Sequence, residues 1–186
     1  HVIETNLNNN FEPSAITDFL YRKTPRFLNG PKNPILEPNL SAVDFIQSII
    51  LAANELDNSY LCIQGPPGAG KTFTARKVIG DLIAKGKRIG ISSHSHKAII
   101  NLMNGVADHL TENEITGNLI KIGSNEEDPI FNKKNVVHRR DAKACGGELN
   151  ASPLCVGGTA WLFCNSALTE EEGIKKLDYL FIDEAG

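Results

Sequence analysis

"CIQGPPGAGKTFTARKVI", residues 62–79, reads as an apolar strand end, a glycine-rich turn, a Lys-Thr pair and an amphipathic helix. Gly65, Pro66, Pro67, Gly68, Ala69, Gly70, Lys71 and Thr72 satisfy G-x-x-x-x-G-K-[ST], and the match lies after a predicted strand and before a predicted helix, where its mechanism requires it. Glycines let backbone amides turn inward and approach phosphate oxygens without a Cβ clash, and the following helix adds its N-terminal partial charge. Lys71 is placed to neutralise the β- and γ-phosphates of ATP, and the Thr72 hydroxyl to coordinate Mg2+. A phosphate grip therefore organises the chain.

Strands and helices alternate outward from that grip. "YLCIQ" (60–64) is predicted as a buried strand leading into the loop. Beyond it, Ala75, Val78, Ile79, Leu82 and Ile83 recur at helical spacing, and Gly86 fits a left-handed cap. "RIGISS" predicts a strand and "HKAIINLMNGVADHL" an amphipathic helix. "LIKI" (119–122), "LCVGG" (154–158) and "LDYLFIDE" (177–184) are further strands. This rhythm predicts an α/β fold, a parallel RecA-like sheet with helices on both faces, over 41–186. Upstream, "SAVDFIQSIILAANEL" opens on a capping box and puts Val43, Ile46, Ile49, Ile50 and Ala53 on one face. Residues 1–40 hold five of the nine prolines and read as linker around a short helix capped by Ser14. The polar stretch 123–152 fits the rhythm poorly and reads as a surface insertion.

The last predicted strand carries the second element of the chemistry. An apolar strand ending in Asp183 puts a carboxylate at the C-terminal edge of a parallel sheet, where open α/β sheets bind ligands. Asp183 would hold Mg2+ opposite Thr72. Glu184 adds a second acid, which a phosphoryl transferase to a hydroxyl does not need but a hydrolase does, to orient and polarise water.

Bulk numbers exclude other classes. At 186 residues, 41% hydrophobic and 22% charged, the chain is an ordinary globular domain in size and composition. Its longest apolar run, "FIQSIILAA", is too short to span a bilayer, and no secretory signal opens the chain. Cys62, Cys145, Cys155 and Cys164 lack C-x-x-C spacing and read as reduced thiols of a cytosolic protein. A net charge of −3 still permits a local basic groove. His1 in place of Met, and an end just past a strand, give the expectation of a piece of a longer protein.

Two weaker signals remain. "ISSHSHKAIINL" (91–102) and "VGGTAWLF" (156–163) each offer small hydroxyl residues at a strand-to-helix turn, chemistry that suits phosphodiester contacts, with Lys97 as a charge and Trp161 as a stacking surface. Helix caps and a core tryptophan are the plainer readings of the same residues. His94 and His96 read as capping or surface residues. The basic run Lys133, Lys134, His138, Arg139, Arg140 and Lys143 reads as a solvated loop balanced by Glu126, Glu127 and Asp128.

Taken together, "IQGPPGAGKT", "ISSHSHKAIINL", "VGGTAWLF" and "LDYLFIDEAG" resemble, in order and rough spacing over 17–186, motifs I, Ia, Ic and II of superfamily 1 helicases. The branch they resemble is the Upf-like, 5′-to-3′ one, above all bacterial fusions of a RecB-like nuclease with such a helicase. The resemblance implies that Gly68, Gly70, Lys71 and Thr72 bind ATP and Mg2+, and that Asp183 and Glu184 serve metal and attacking water. It implies that Ser93, Ser95, Lys97, Thr159 and Trp161 line a track for single-stranded nucleic acid, DNA favoured over RNA. A second RecA-like domain with an arginine finger and a nuclease domain are the implied partners, and the chain alone is expected to turn ATP over negligibly. Ala69 replaces a common Thr, and the adenine-reading Gln is not evident, Gln47 being out of register. A non-helicase P-loop ATPase module and a degenerate nucleotide-binding domain stay open as rivals.

Overall fold

Residues 13–32, 34–124, 127–164 and 177–184 are described by a computed structural model. The Asn-rich start, Glu126 of the acidic patch, and Ala185 and Gly186 after the paired acids lie outside them. The chain divides into two units, His1–Lys71 and Thr72–Gly186.

In the first unit, local polar side chains start the helices. Helix α1 (Ala15–Leu20) is capped by Ser14 in a reciprocal box, with the Ser14 N–H donating to Thr17 Oγ1 at 2.8 Å. Helix α2 (Ala42–Asn54) starts at Ser41, whose Oγ accepts from the Asp44 N–H. Its buried face is Ile49, Ala52 and Ala53; Val43, expected on that face, is 72% exposed. Residues 60–64, expected as a buried strand, form none: Cys62 and Ile63 are exposed. An apolar run becomes a strand only where another backbone completes its ladder, and none of the described residues does so here. The unit is tied instead through Asp18, which is fully buried and accepts from Arg26 Nε at 2.8 Å and Ser59 Oγ at 2.9 Å. Phe27 bridges Leu56 in antiparallel fashion beside it.

The second unit is a parallel sheet. Helix α3 (Lys71–Ala84) buries Val78, Ile79, Leu82 and Ile83 and ends at Gly86, φ 74°, with the Lys87 N–H returning to the Leu82 carbonyl. Strand β1 (Arg88–Ser92) follows, then helix α4 (His96–Glu112), β2 (Leu119–Ile122), β3 (Val136–Arg139), β4 (Leu154–Gly157), the single turn α5 (Ala160–Phe163) and β5 (Tyr179–Ile182). The order is β3-β2-β4-β1-β5, every pair parallel. Ile89 pairs with Cys155 on one side and Tyr179 on the other. The inner strands are buried on both faces, which is why they read as continuous apolar runs rather than alternations.

Helix α4 covers one face of the sheet: a methyl added at Gly157 would meet Met103 Sδ at 2.3 Å and Ile99 Cγ2 at 3.0 Å. The other face is packed by Ala142, Cys145, Leu149 and Leu162 against Ile120, Ile122, Leu154 and Val156. The segment read from its polarity as an insertion therefore supplies a strand, two 3-10 stretches (Pro129–Asn132 and Ala142–Asn150) and part of the core. Its apolar residues are too sparse to show a period but lie where the sheet needs cover. Three of its bases are in ion pairs: Lys133 with Asp108, Arg139 with Glu148, and Arg140 with Asp141. All four cysteines are free, and no helix among the described residues is long and apolar enough to cross a membrane.

Burial alone would raise the pKa of Asp18, but the hydrogen bonds from Arg26 and Ser59 outweigh it and hold the carboxyl below its ordinary 3.8. A carboxyl lowered on folding adds stability that is present above its unfolded value and lost as pH falls through the folded one. Urea unfolding of Asp18→Asn followed in the first unit is expected to show a loss of about 1–3 kcal/mol at neutral pH. That deficit should shrink below pH 3.8, and a variant as stable as the wild type would remove Asp18 as the tie.

Candidate nucleotide and nucleic-acid site

The loop of the first unit is shaped by its glycines. Gly68 and Gly70 have φ of 79° and 80°, left-handed values that L side chains rarely adopt. A Cβ at either would meet nothing within 4 Å, so conformation and not crowding selects glycine there. The Ala69 N–H closes a turn on the Pro66 carbonyl at 3.2 Å. Lys71 Nζ donates to the carbonyls of Gly65 at 2.6 Å and Pro66 at 3.0 Å. Its hydrogen-bond partners are neutral carbonyls and not a carboxylate, so its charge is not cancelled. A cation over left-handed glycine backbone is a donor set that fits a polyphosphate.

The second unit brings other expected residues to one edge. In a parallel sheet every C-terminal strand end faces the same way, and here those ends carry Ser93 after β1, Gly158 and Thr159 after β4, and Asp183 after β5. The ladder sets their spacing: the Asp183 N–H donates to the Ser92 carbonyl at 2.9 Å, and the Gly158 N–H to the Ile91 carbonyl at 3.0 Å. Asp183 is half-buried, its Oδ1 accepting from the Glu184 N–H at 3.1 Å. Glu184 is exposed, with φ 55°, a strained value for a residue with a side chain. No three His, Cys, Asp or Glu side chains among the described residues are grouped to hold a metal. A carboxylate and a hydroxyl, the groups that Asp183 and Thr72 carry, are donor types that suit Mg2+, which keeps waters and takes phosphate oxygens for the rest.

The five residues expected on the strand track divide by environment. Ser95 caps α4, its Oγ accepting from the Ala98 N–H at 3.1 Å, so the plain reading describes it. Ser93 does not follow that reading: it is buried, and its Oγ has no hydrogen-bond partner among the described residues. Lys97 is exposed. Thr159 is the N-cap of α5 but makes no side-chain cap bond, which leaves its hydroxyl for other partners. Trp161, plainly read as core, is 84% exposed. The glycine pair before it shows why: a methyl at Gly158 would come within 2.2 Å of Leu162 Cδ2. Leu162 folds inward over that bare glycine, and the turn of α5 then directs its neighbour Trp161 outward. A polar contact near Ser95 and Lys97 not read from the sequence is that of Lys121, whose Nζ lies 3.0 Å from His96 Nδ1; its signal was a lysine inside "LIKI".

Residues 42–149 match the AAA_11 model, described as an AAA domain, over more than half of the chain. The chain belongs to this family. AAA_11 domains fall in the Upf-like group of superfamily 1 helicases, and the parallel sheet with helices on both faces agrees with their RecA-like P-loop fold. The AAA_11 chain is similar to the DNA replication ATP-dependent helicase/nuclease dna2 of Schizosaccharomyces pombe, 33% identical over 93 residues, 49% of the chain and 6% of that protein. It is also similar to the DNA replication ATP-dependent helicase/nuclease DNA2 of Saccharomyces cerevisiae, 26% identical over 168 residues, 88% of the chain and 10% of that protein. The chain thus spans a tenth or less of the length of these relatives. No solved structure matches.

Trp161 is the single tryptophan, so it reports its own environment. This chain should show red-shifted, water-like emission that acrylamide quenches freely; blue, protected emission would contradict an outward-facing Trp161.

Proposed function

We propose that this chain is the first RecA-like motor unit of an ATP-dependent superfamily 1 helicase acting on single-stranded DNA. The observation that carries the reading is the shared sheet edge. Ser93, Thr159 and Asp183 stand on adjacent strand ends, so groups suited to a phosphodiester backbone and a group suited to nucleotide-bound metal sit side by side. The names of the two relatives, each a DNA replication helicase/nuclease, support DNA over RNA. A second RecA-like domain and a nuclease domain in the full-length protein belong to the same proposal.

Bound Mg-ATP supplies a phosphoanhydride whose hydrolysis releases the energy for movement. The protein's part is positioning and charge. The amides of Gly68 and Gly70 and the N-terminus of α3 would face phosphate oxygens, and Lys71 would exchange its carbonyl partners for them. Thr72 and Asp183 would hold Mg2+. Glu184 orients the attacking water and takes its proton. Ser93, Ser95, Lys97 and Thr159 hold the strand through its phosphates, and Trp161 offers a face for one base. A base stacked on an aromatic ring contributes roughly 1–3 kcal/mol.

The test is ATP hydrolysis by the full-length protein with and without a single-stranded oligothymidylate. Hydrolysis should rise when the strand is added, and an ATPase indifferent to the strand would place the chain among non-helicase modules. Glu184→Gln should lower kcat by about 10²–10⁴ while Mg-ATP affinity stays within about twofold. Turnover unchanged in that variant would remove Glu184 as the base.

A further inference from the structure

Lys121 interrupts an apolar strand and is fully buried, at 0% exposure. Burying an ammonium costs several kcal/mol unless its protons are accepted. All three are: by the Ile122 carbonyl at 2.6 Å, the Gly123 carbonyl at 3.0 Å and His96 Nδ1 at 3.0 Å. None of these acceptors is a carboxylate. An ammonium only donates, so His96 Nδ1 must be the bare acceptor and the ring proton must sit on Nε2. His96 is the first residue of α4, between the capping Ser95 and the exposed Lys97, and is itself half-buried.

Neighbouring strands bring two groups to this pair. From β3, His138 Nε2 lies 3.2 Å from the same Gly123 carbonyl that Lys121 uses. From β4, the residue in register with Lys121 is Gly157, which brings no charge. Burial, and then the charge of Lys121, hold His96 below its ordinary pKa of 6.5. Burial pulls Lys121 itself down to about 8.

We propose that Lys121 is a positioning residue for strand binding: it fixes His96 as the neutral Nε2–H tautomer, a constant hydrogen-bond donor to phosphate at the first turn of α4. This rests on the strand-binding reading of that turn. An ordinary histidine changes charge across neutral pH. Here the ammonium behind the ring opposes a second positive charge, so the contact does not switch over that range.

The tautomer is read directly from two-bond proton–nitrogen spectra of the chain with nitrogen-labelled histidine. The wild type should show the Nε2–H form of His96 at neutral pH. Lys121→Met should release a mixture of tautomers, raise the His96 pKa and weaken binding of a fluorescein-labelled oligothymidylate to the full-length protein by about fivefold. His96→Ala should cost a similar factor, and the double variant no more than either single one, because both remove one contact. If Lys121→Met does not fold, the wild type decides. Its Nε2–H signal at neutral pH follows from the three acceptors of the ammonium alone. An Nδ1–H form at neutral pH, or additive losses in the double variant, would overturn the proposal. Failure of the wild type to bind the oligonucleotide would instead remove the strand-binding reading and the positioning role with it, leaving the tautomer result to judge the Lys121–His96 bond alone.

Discussion

A parallel ladder imposes one direction on every strand of the second unit, and the rest of that unit follows from it. Parallel neighbours need a crossover between them, so each strand exits into a turn at the same edge. β1 holds the register for both its neighbours, pairing Ile89 with Cys155 and with Tyr179, and thereby sets the ends of β4 and β5 level with its own. Ser93, Thr159 and Asp183 are far apart in sequence but arrive at adjacent positions because three apolar strands share that register. A one-residue slip of β5 would turn Leu180 and Ile182 to the opposite face and carry Asp183 out of step.

The edge is rich in features that stability alone would not retain. Ser93 Oγ is buried without a partner among the described residues, Glu184 is held at positive φ, and Lys121 keeps a charge in the core. Each costs on the order of 1–3 kcal/mol relative to a relaxed alternative. Ser93 and Glu184 follow the ends of their strands, and Lys121, inside β2, turns its Nζ to the carbonyls of Ile122 and Gly123 at the end of its own. The Gly157–Gly158 pair belongs to the same economy of space: one glycine admits α4 against the sheet, the other admits Leu162, and Trp161 faces solvent as a result.

Much of this was legible in the residues. The helices at α3 and α4 announce themselves by spacing, and the four-residue apolar runs of β2 and β4 are short but bounded by turn residues. The phosphate loop was legible because its glycines are demanded by φ, a local property. What the residues hide is partnership. "YLCIQ" has a strand's composition, yet a strand exists only with a neighbour, and nothing within five residues declares one. The 127–150 stretch looks polar because its acids and bases pair with each other and with Asp108, while five spaced apolar side chains, Ile130, Val136, Ala142, Cys145 and Leu149, go inward. For Trp161 the sequence left a core position and an exposed stacking surface both open, and the close approach of Leu162 to Gly158 goes with the exposed one. Lys121 was visible as an oddity, but its acceptor lies 25 residues back in the sequence.

The central claim, that one edge of the parallel sheet is the nucleic-acid face, is tested most directly by mapping backbone amide shifts of this chain on titration with a single-stranded oligothymidylate. The account predicts that the largest shifts fall on Ser93 to Lys97 and on Gly158 to Trp161, with Asp183 close to them. Shifts confined to the basic stretch Lys133 to Lys143, with the sheet edge unmoved, would contradict it.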